Sequence, residues 1–233
     1  MLVDQTPLSP LPQATAMSVT DQVFDRLHTA IIALELPPGS KVSEADLANR
    51  FDVSRQPVRD AFFRLSQQGF LLIRPQRATL VTKISVSAVA RAAFVRSALE
   101  TACLADSIPR RTNADLAALD ALIEQQHEAM QKADGVRFYE LDETFHQLLC
   151  AISGHDDIWP LVSAQKSHMD RARRLSLPDN GPVAFQEHCE IVTALRQQDL
   201  GSAQAKLDAH LHSLFPLMDG IRAKNPEFFE DNT

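Results

Sequence analysis

The sequence has no apolar run approaching the ~20 residues that a bilayer-spanning helix needs, although 45% of its residues are hydrophobic. No basic segment followed by an apolar one stands at its N-terminus, which argues against a secretory signal. Cysteine is scarce and odd in number. The three residues, Cys103, Cys150 and Cys189, are scattered, which suits reduced thiols in the cytoplasm and not a disulfide framework. No internal repeat is visible. An excess of positive charge is also missing: the net charge of −7 argues against a protein that coats nucleic acid. What remains is a chain of 233 residues, long enough for one large or two ordinary domains, with no membrane partner.

The charge is unevenly spread. Residues 18–83 hold nine Lys/Arg against seven Asp/Glu, whereas residues 84–233 hold 14 against 22. Within residues 50–77 there are six arginines and two aspartates. A local basic face on an acidic protein fits a sequence reader better than a nonspecific binder.

Residues 1–17 contain Pro7, Pro10 and Pro12 without apolar periodicity and read as a disordered tail. From Thr20 to Leu36, Val23, Leu27, Ala30, Ile31 and Leu34 recur at helical spacing, with Thr20 as the N-cap and Pro37-Pro38-Gly39 as the stop. Ser40 to Val42 reads as a short strand. Ser43 and Asp46 resemble a capping box for a helix through Phe51. Asp52-Val53 makes a turn, Ser54 opens the next helix, and Pro57 lies in its first turn, where a missing N–H is harmless. Val58, Ala61, Phe62 and Leu65 form its buried stripe, and Gly69 ends it. Leu71–Ile73 then pairs with Thr79–Thr82, with Pro75, Gln76 and Arg77 at the tip.

This is the pattern of a winged helix-turn-helix, whose second helix enters the major groove with its N-terminal residues at the base edges. Arg55 and Arg59 are one turn apart and point the same way, and an arginine fork bonds guanine O6 and N7 together. Ser54, Gln56 and the helix N-terminus suit phosphate or base contacts. Arg77 at the wing tip suits the minor groove or a phosphate. Any one of these arginines alone is equally an ordinary solvated residue; cap, turn, spacing and wing together carry the reading.

Beyond Ser85 strand signals disappear. Six helical segments follow, at about 86–107, 113–132, 135–152, 157–175, 183–198 and 200–222, separated by short breaks that include Pro178 to Pro182. Short breaks predict antiparallel neighbours. The expected fold is mainly α, a winged helix-turn-helix at 18–83, a linker at 84–87 and an all-α six-to-seven-helix bundle at 88–225. An acidic loose tail at 226–233 ends the chain.

Within the bundle, Asp142 and His146 stand at i and i+4 on one helix face, next to Phe138, Leu141, Phe145, Leu148 and Leu149. His188 and His210 lie beside apolar residues on two later helices. One carboxylate and three imidazoles suit zinc, nickel, manganese or iron, with open positions for a ligand carboxylate. Spacing leaves open the alternative of four unrelated polar residues, each satisfied locally. Arg96 sits within an apolar run on the first bundle helix, and Arg171, Arg173 and Arg174 cluster on the fourth. Arg96 and Arg171 are the candidates for gripping a carboxylate ligand, or else form structural ion pairs with Glu100 or Asp170. His127, among Gln125, Gln126 and Glu128, reads as part of a solvated face.

The stretches from Leu36 to Ala48, Val53 to Leu65 and Gly69 to Leu71 resemble the N-terminal domain of GntR-type bacterial transcription regulators. In that family the arginines matching Arg55 and Arg59 contact the operator and the wing contributes through its tip, where this chain has Ala78 in place of a frequent Gly. Residues 86–220 resemble the all-helical FCD effector domain of the FadR-like subfamily, on Val95 to Glu100, Asp142-x-x-Phe145-His146, Glu187-His188-x-x-Ile191 and the late His210. In its metal-binding members, residues matching Asp142, His146, His188 and His210 hold a divalent cation under a small carboxylate effector. The resemblance therefore implies a regulator and not an enzyme, most simply a repressor. It would be a homodimer on a pseudo-palindromic double-stranded operator, controlled by an organic or sugar acid on a divalent metal, zinc first. A constitutive regulator with a structural metal, and a metal-dependent enzyme on a helical scaffold, are the competing readings.

Overall fold

The computed structural model describes residues 17–74 and 77–231, without the side chains of 177–180. The expected tail at 1–17 thus lies outside the described residues except for Met17, as do Pro75 and Gln76 of the wing tip. The chain divides into two compact units. One comprises the chain up to Ala30 plus Ser40–Thr82; the other comprises Ile31–Gly39 and everything from Lys83.

The first unit opens with α1 (Val19–Ile32). Its cap is Ser18 and not Thr20: the Ser18 hydroxyl accepts the Asp21 N–H at 3.1 Å and donates to the Asp21 carboxylate at 2.6 Å. The helix also stops four residues earlier than the apolar spacing predicts, with Leu34 in the left-handed region at φ 62°. Strand β1 (Lys41–Val42) follows, then α2 (Glu44–Phe51), capped by Ser43 through the Asp46 N–H. Asp52 turns the chain at φ 54° into α3 (Arg55–Gln67), which buries Val58, Ala61, Phe62 and Leu65 as the periodicity predicts. Strands β2 (Leu71–Leu72) and β3 (Thr79–Val81) form the wing, antiparallel with Leu71 opposite Val81. Strand β1 joins the other edge of β3, giving the order β1-β3-β2.

The second unit is helical: α4 (Val86–Arg110), α5 (Asn113–Gln131), α6 (Gly135–Ile152), α7 (Ile158–Gln197), α8 (Leu200–His212) and α9 (Met218–Lys224), with single 3-10 turns at Phe215–Leu217 and Pro226–Phe228. Helix α4 packs on α6, α7 and α8, and α5 on α6 and α7. Their shared interior holds Leu104, Leu119, Phe138, Phe145, Ile191, Leu195 and Leu207. The two segments expected at 157–175 and 183–198 are one helix of 40 residues. Each proline forfeits a backbone bond and disfavours the helical state. The apolar faces on both sides of that stretch pack into the unit's interior, and such tertiary burial overrides local propensity.

The C-terminal segment, expected to be loose, is built in. Ile84 donates its N–H to Phe228 O at 2.8 Å, and Glu230 donates to Ile84 O at 3.0 Å, pairing the two stretches in parallel. Phe229 is 1% exposed and packs with Ile84, Met169, Ala172, Leu214 and Ile221. Acidic composition hid this anchor, because two adjacent aromatics, Phe228 and Phe229, flanked by acidic residues show no periodicity. Phe229→Ala should cost about 3–5 kcal/mol of stability, read as a lowered urea midpoint; an unchanged midpoint would show the segment to be dispensable.

Candidate functional site

Two constellations stand out. On α3, Ser54, Arg55, Gln56 and Arg59 are all exposed at or near the helix N-terminus. Ser54 holds the N-cap position with no side-chain cap bond, so its hydroxyl is not committed to the helix. Arg55 has no ion pair among the described residues. Gln56 donates to Asp60 at 2.8 Å, and Arg59 lies 3.2 Å from Glu44 on α2. Such exposed pairs are worth about 0–1 kcal/mol, so exchanging Glu44 for a base or phosphate costs little. Arg64 faces elsewhere: it pairs with Asp21 at 2.7 Å and covers the Phe24 ring at 4.0 Å, tying α3 to α1. Arg77 is exposed, and its backbone N–H closes the wing turn on Arg74 O at 3.1 Å.

In the helical unit, Asp142, His146, His188 and His210 come together from α6, α7 and α8, all buried, with one potential ligand atom from each within 4.8 Å of the others. His210 Nε2 lies 3.1 Å from His146 Nε2 and 3.3 Å from His188 Nε2. Asp142 Oδ1 lies 3.5 Å from His188 Nε2 and 4.0 Å from His146 Nε2. Bonds of about 2.0–2.1 Å in a tetrahedron place neighbouring donors about 3.3 Å apart, close to these spacings.

Two of the imidazoles, His188 and His210, are aimed by a hydrogen bond on the outer nitrogen, and the third has a carboxylate beside its own. His146 Nδ1 lies 2.7 Å from Glu100 Oε2, His210 Nδ1 2.8 Å from Glu187 Oε2, and His188 Nδ1 2.9 Å from Gln126 Oε1. Gln126 is oriented in turn by donating Nε2 to Leu141 O at 3.3 Å. The Gln126 and Glu187 acceptors place the proton of His188 and of His210 on Nδ1, which leaves their two Nε2 lone pairs facing each other. A second proton on a ring would relieve the repulsion only by placing a buried imidazolium there. Burial holds both His188 and His210 well below the ordinary value of 6.5. The donor set therefore fits a divalent cation.

Carboxylate chemistry agrees. Burial works to raise the Asp142 carboxyl, but the Arg173 guanidinium beside it holds it well below its usual range. Arg173 grips both oxygens, Nη1 to Oδ2 at 2.9 Å and Nη2 to Oδ1 at 2.8 Å. Burial likewise works to raise Glu100, and Arg96 at 2.7 Å with His146 overcomes it. Beside the centre lies a cavity of about 20 Å³, lined by Arg96, Arg173, His210, Ser176, Ser213 and Met169 among others.

Of the two arginines expected to grip a ligand, Arg96 lines this cavity and Arg171 does not. Arg171 is buried close to His168, with burial pushing its guanidinium down to about 10 against the pull of Glu230. Arg173 takes its place, because residues two positions apart on a helix differ by about 200° in direction. Gln126 corrects the expected solvated face: it is fully buried. Only its helical phase beside Leu119, Leu122 and Ala129 could have signalled this. Glu143, three residues before His146, turns to Lys166 at 2.6 Å and leaves the centre.

Without metal, the neutral buried histidines make stability pH-dependent. Their depressed pKa values mean that the unfolded chain binds more protons below 6.5. Stability is full above 6.5 and is lost as pH falls from there toward the folded values, by up to about 1.4 kcal/mol per pH unit for each histidine. Urea midpoints of chelator-treated protein between pH 7.5 and 5 should fall; a flat profile would contradict the buried neutral assignment.

Residues 19–81 match the family profile described as bacterial regulatory proteins, gntR family, and residues 92–213 match that of the FCD domain. The chain is 36% identical over 211 residues to an uncharacterized HTH-type transcriptional regulator in an unstable DNA locus of Streptomyces ambofaciens, covering 89% of this chain and 88% of the relative. It is 32% identical over 215 residues to the HTH-type transcriptional repressor RspR of Escherichia coli K12, covering 91% and 94%. Among solved structures, E. coli McbR/YncC shares the fold with a TM-score of 0.75 at 20% identity, over 88% of this chain and 99% of that one.

Proposed function

We propose, from the premise that this chain belongs to the GntR family of bacterial regulatory proteins and carries an FCD domain, that a small carboxylate metabolite bound at a divalent cation sets its affinity for DNA. The protein is a DNA-binding transcription regulator and not an enzyme. Repression is the favoured sense, since the related RspR is named a repressor. The cytoplasm is the expected compartment.

The observation that carries this reading is the convergence of Asp142, His146, His188 and His210, with His188 and His210 aimed by hydrogen bonds on their outer nitrogens, beside a cavity lined by two arginines. Zinc is the favoured occupant of one carboxylate and three imidazoles, with nickel, manganese and iron as alternatives. When bound, such a cation supplies a Lewis-acidic open position for a carboxylate oxygen. Arg96 is placed to pair with the rest of that ligand, since its Nη2 is buried without a hydrogen-bond partner. His210 and Ser213 form the adjoining wall.

On the DNA side, Arg55 and Arg59 would read base edges in the major groove, Ser54 and Gln56 would fix register, and Arg77 would reach a phosphate or the minor groove. A homodimer would present two such helices to a pseudo-palindromic operator. The effector shifts operator affinity only if the two states bind it differently.

The test is operator binding by fluorescence anisotropy with protein of known metal content, titrated with a panel of organic and sugar acids, with and without chelator. One acid should change affinity, and chelation should abolish the change. A response indifferent to metal would remove the cation from the mechanism. A protein full of metal but silent to every acid would favour the structural-metal reading. Operator affinity should also fall by ~0.9 log unit per log unit of salt for each phosphate contacted.

A further inference from the structure

Asp142 is a carboxylate with no access to water, and such a charge persists only beside a compensating partner. In this structure the partner is Arg173, whose guanidinium meets both carboxylate oxygens, at 2.8 and 2.9 Å. The geometry is the bidentate fork that makes arginine the strongest carboxylate partner. Yet Oδ1, the oxygen that Arg173 Nη2 occupies, is also the one facing His188 and His146. One oxygen therefore faces both the guanidinium and the position that a cation held by the histidines would take.

A second acceptor waits on the other side of the same guanidinium. Asp170, one turn before Arg173 on α7, is buried, with Oδ2 held by Lys166. Its Oδ1 is buried, has no hydrogen-bond partner, and lies 4.0 Å from Arg173 Nη1. A buried acceptor left without a donor costs stability, and the nearest arginine donor stops just short of it. Lys166 is itself fixed between Glu143 and Asp170, so Asp170 is firmly held.

We propose that Arg173 is a displaceable counter-ion. It stands in for the cation on Asp142 while the centre is empty, and moves to Asp170 Oδ1 when Asp142 ligates a metal. This positioning role rests on the reading of the four residues as a metal centre. Two positive charges cannot share one carboxylate oxygen without repulsion, and the ready seat on Asp170 makes the transfer a short swing within the bundle. Because Arg173 lines the cavity, the swing reshapes the ligand's chamber at the moment the metal arrives. Metal loading and effector capture are thereby coupled through one side chain.

The test compares thermal midpoints of wild type, Arg173→Met and Arg173→Lys after chelation and after loading with Zn2+ alone. Arg173→Met should lower the midpoint of the chelated protein most, and its Zn2+-induced rise should be about twice that of the wild type, because metal then supplies the missing compensation. Arg173→Lys should fall between. Equal Zn2+-induced rises in all three proteins would overturn the counter-ion role. If Arg173→Met does not fold, crystal structures of the wild type with and without Zn2+ decide. The proposal requires the Arg173–Asp170 separation to close from 4.0 Å to hydrogen-bonding range in the loaded protein. Arg173 still gripping Asp142 beside a bound ion would overturn it. A wild type that takes up no Zn2+ would instead overturn the metal centre itself.

Discussion

His188→Ala should reduce the affinity for divalent metal by roughly a hundred- to a thousandfold. Four-ligand zinc sites are worth about 10–16 kcal/mol at pH 7, so one of four ligands accounts for about 2.5–4 kcal/mol. The loss is steep because nothing can replace the ring: Gln126 is committed to Nδ1 from behind, and Phe145 stacks on the imidazole at 4.2 Å between centroids. Metal content measured by atomic emission after dialysis against a weak chelator checks this, and full retention would sink the site. Gln126→Leu adds a finer test. It leaves all four ligands in place but removes the acceptor that fixes the His188 tautomer, and should weaken metal about 10–100-fold. A loss through His188 accompanied by an unaltered response to Gln126→Leu would mean that the ring is held by packing against Phe145 and not by its hydrogen bond.

Arg59→Ala should weaken operator binding about 10–100-fold, the discrimination of about 1–3 kcal/mol that one bidentate base contact supplies. The free protein makes this a clean measurement. Arg59 is 61% exposed and gives up only a surface pair with Glu44, so the substitution removes little from the folded state. The salt dependence separates the two kinds of contact. Loss of a base contact weakens binding to the operator and leaves the slope of affinity against salt unchanged. Loss of a phosphate contact weakens operator and random DNA alike and reduces the slope by about 0.9. Arg59→Ala is expected to follow the first pattern and Arg77→Ala the second. Unchanged operator affinity for Arg59→Ala would remove α3 from the groove.

The two constellations were legible to different depths. The exposed set on α3 and the wing, proposed to face DNA, was placed almost fully by the sequence, because cap, turn, helix and wing lie within about forty consecutive residues whose periodicity states which face is buried. Its arginines are exposed because their neighbours Val58, Ala61, Phe62 and Leu65 take the core. The buried set proposed to hold a metal was readable only as one pair, Asp142 with His146, and the rest depended on resemblance.

What the sequence by itself determined is local: helices with apolar stripes, a basic recognition helix, a carboxylate and an imidazole one turn apart. Local means that one helix's geometry suffices to state it. Only the tertiary structure decided which residues meet across helices. It brought His188 and His210 to that pair and put Gln126 behind a ring. It ran α7 unbroken through the expected break and seated Phe229 against Ile84. It also chose Arg173 over Arg171 for the cavity, a matter of helical phase relative to a centre that no single segment defines. The physical reason is the same throughout. Hydrophobic periodicity fixes how a helix faces its neighbours, but the packing of several helices fixes which polar side chains share a buried space, and burial is what turns them into a site.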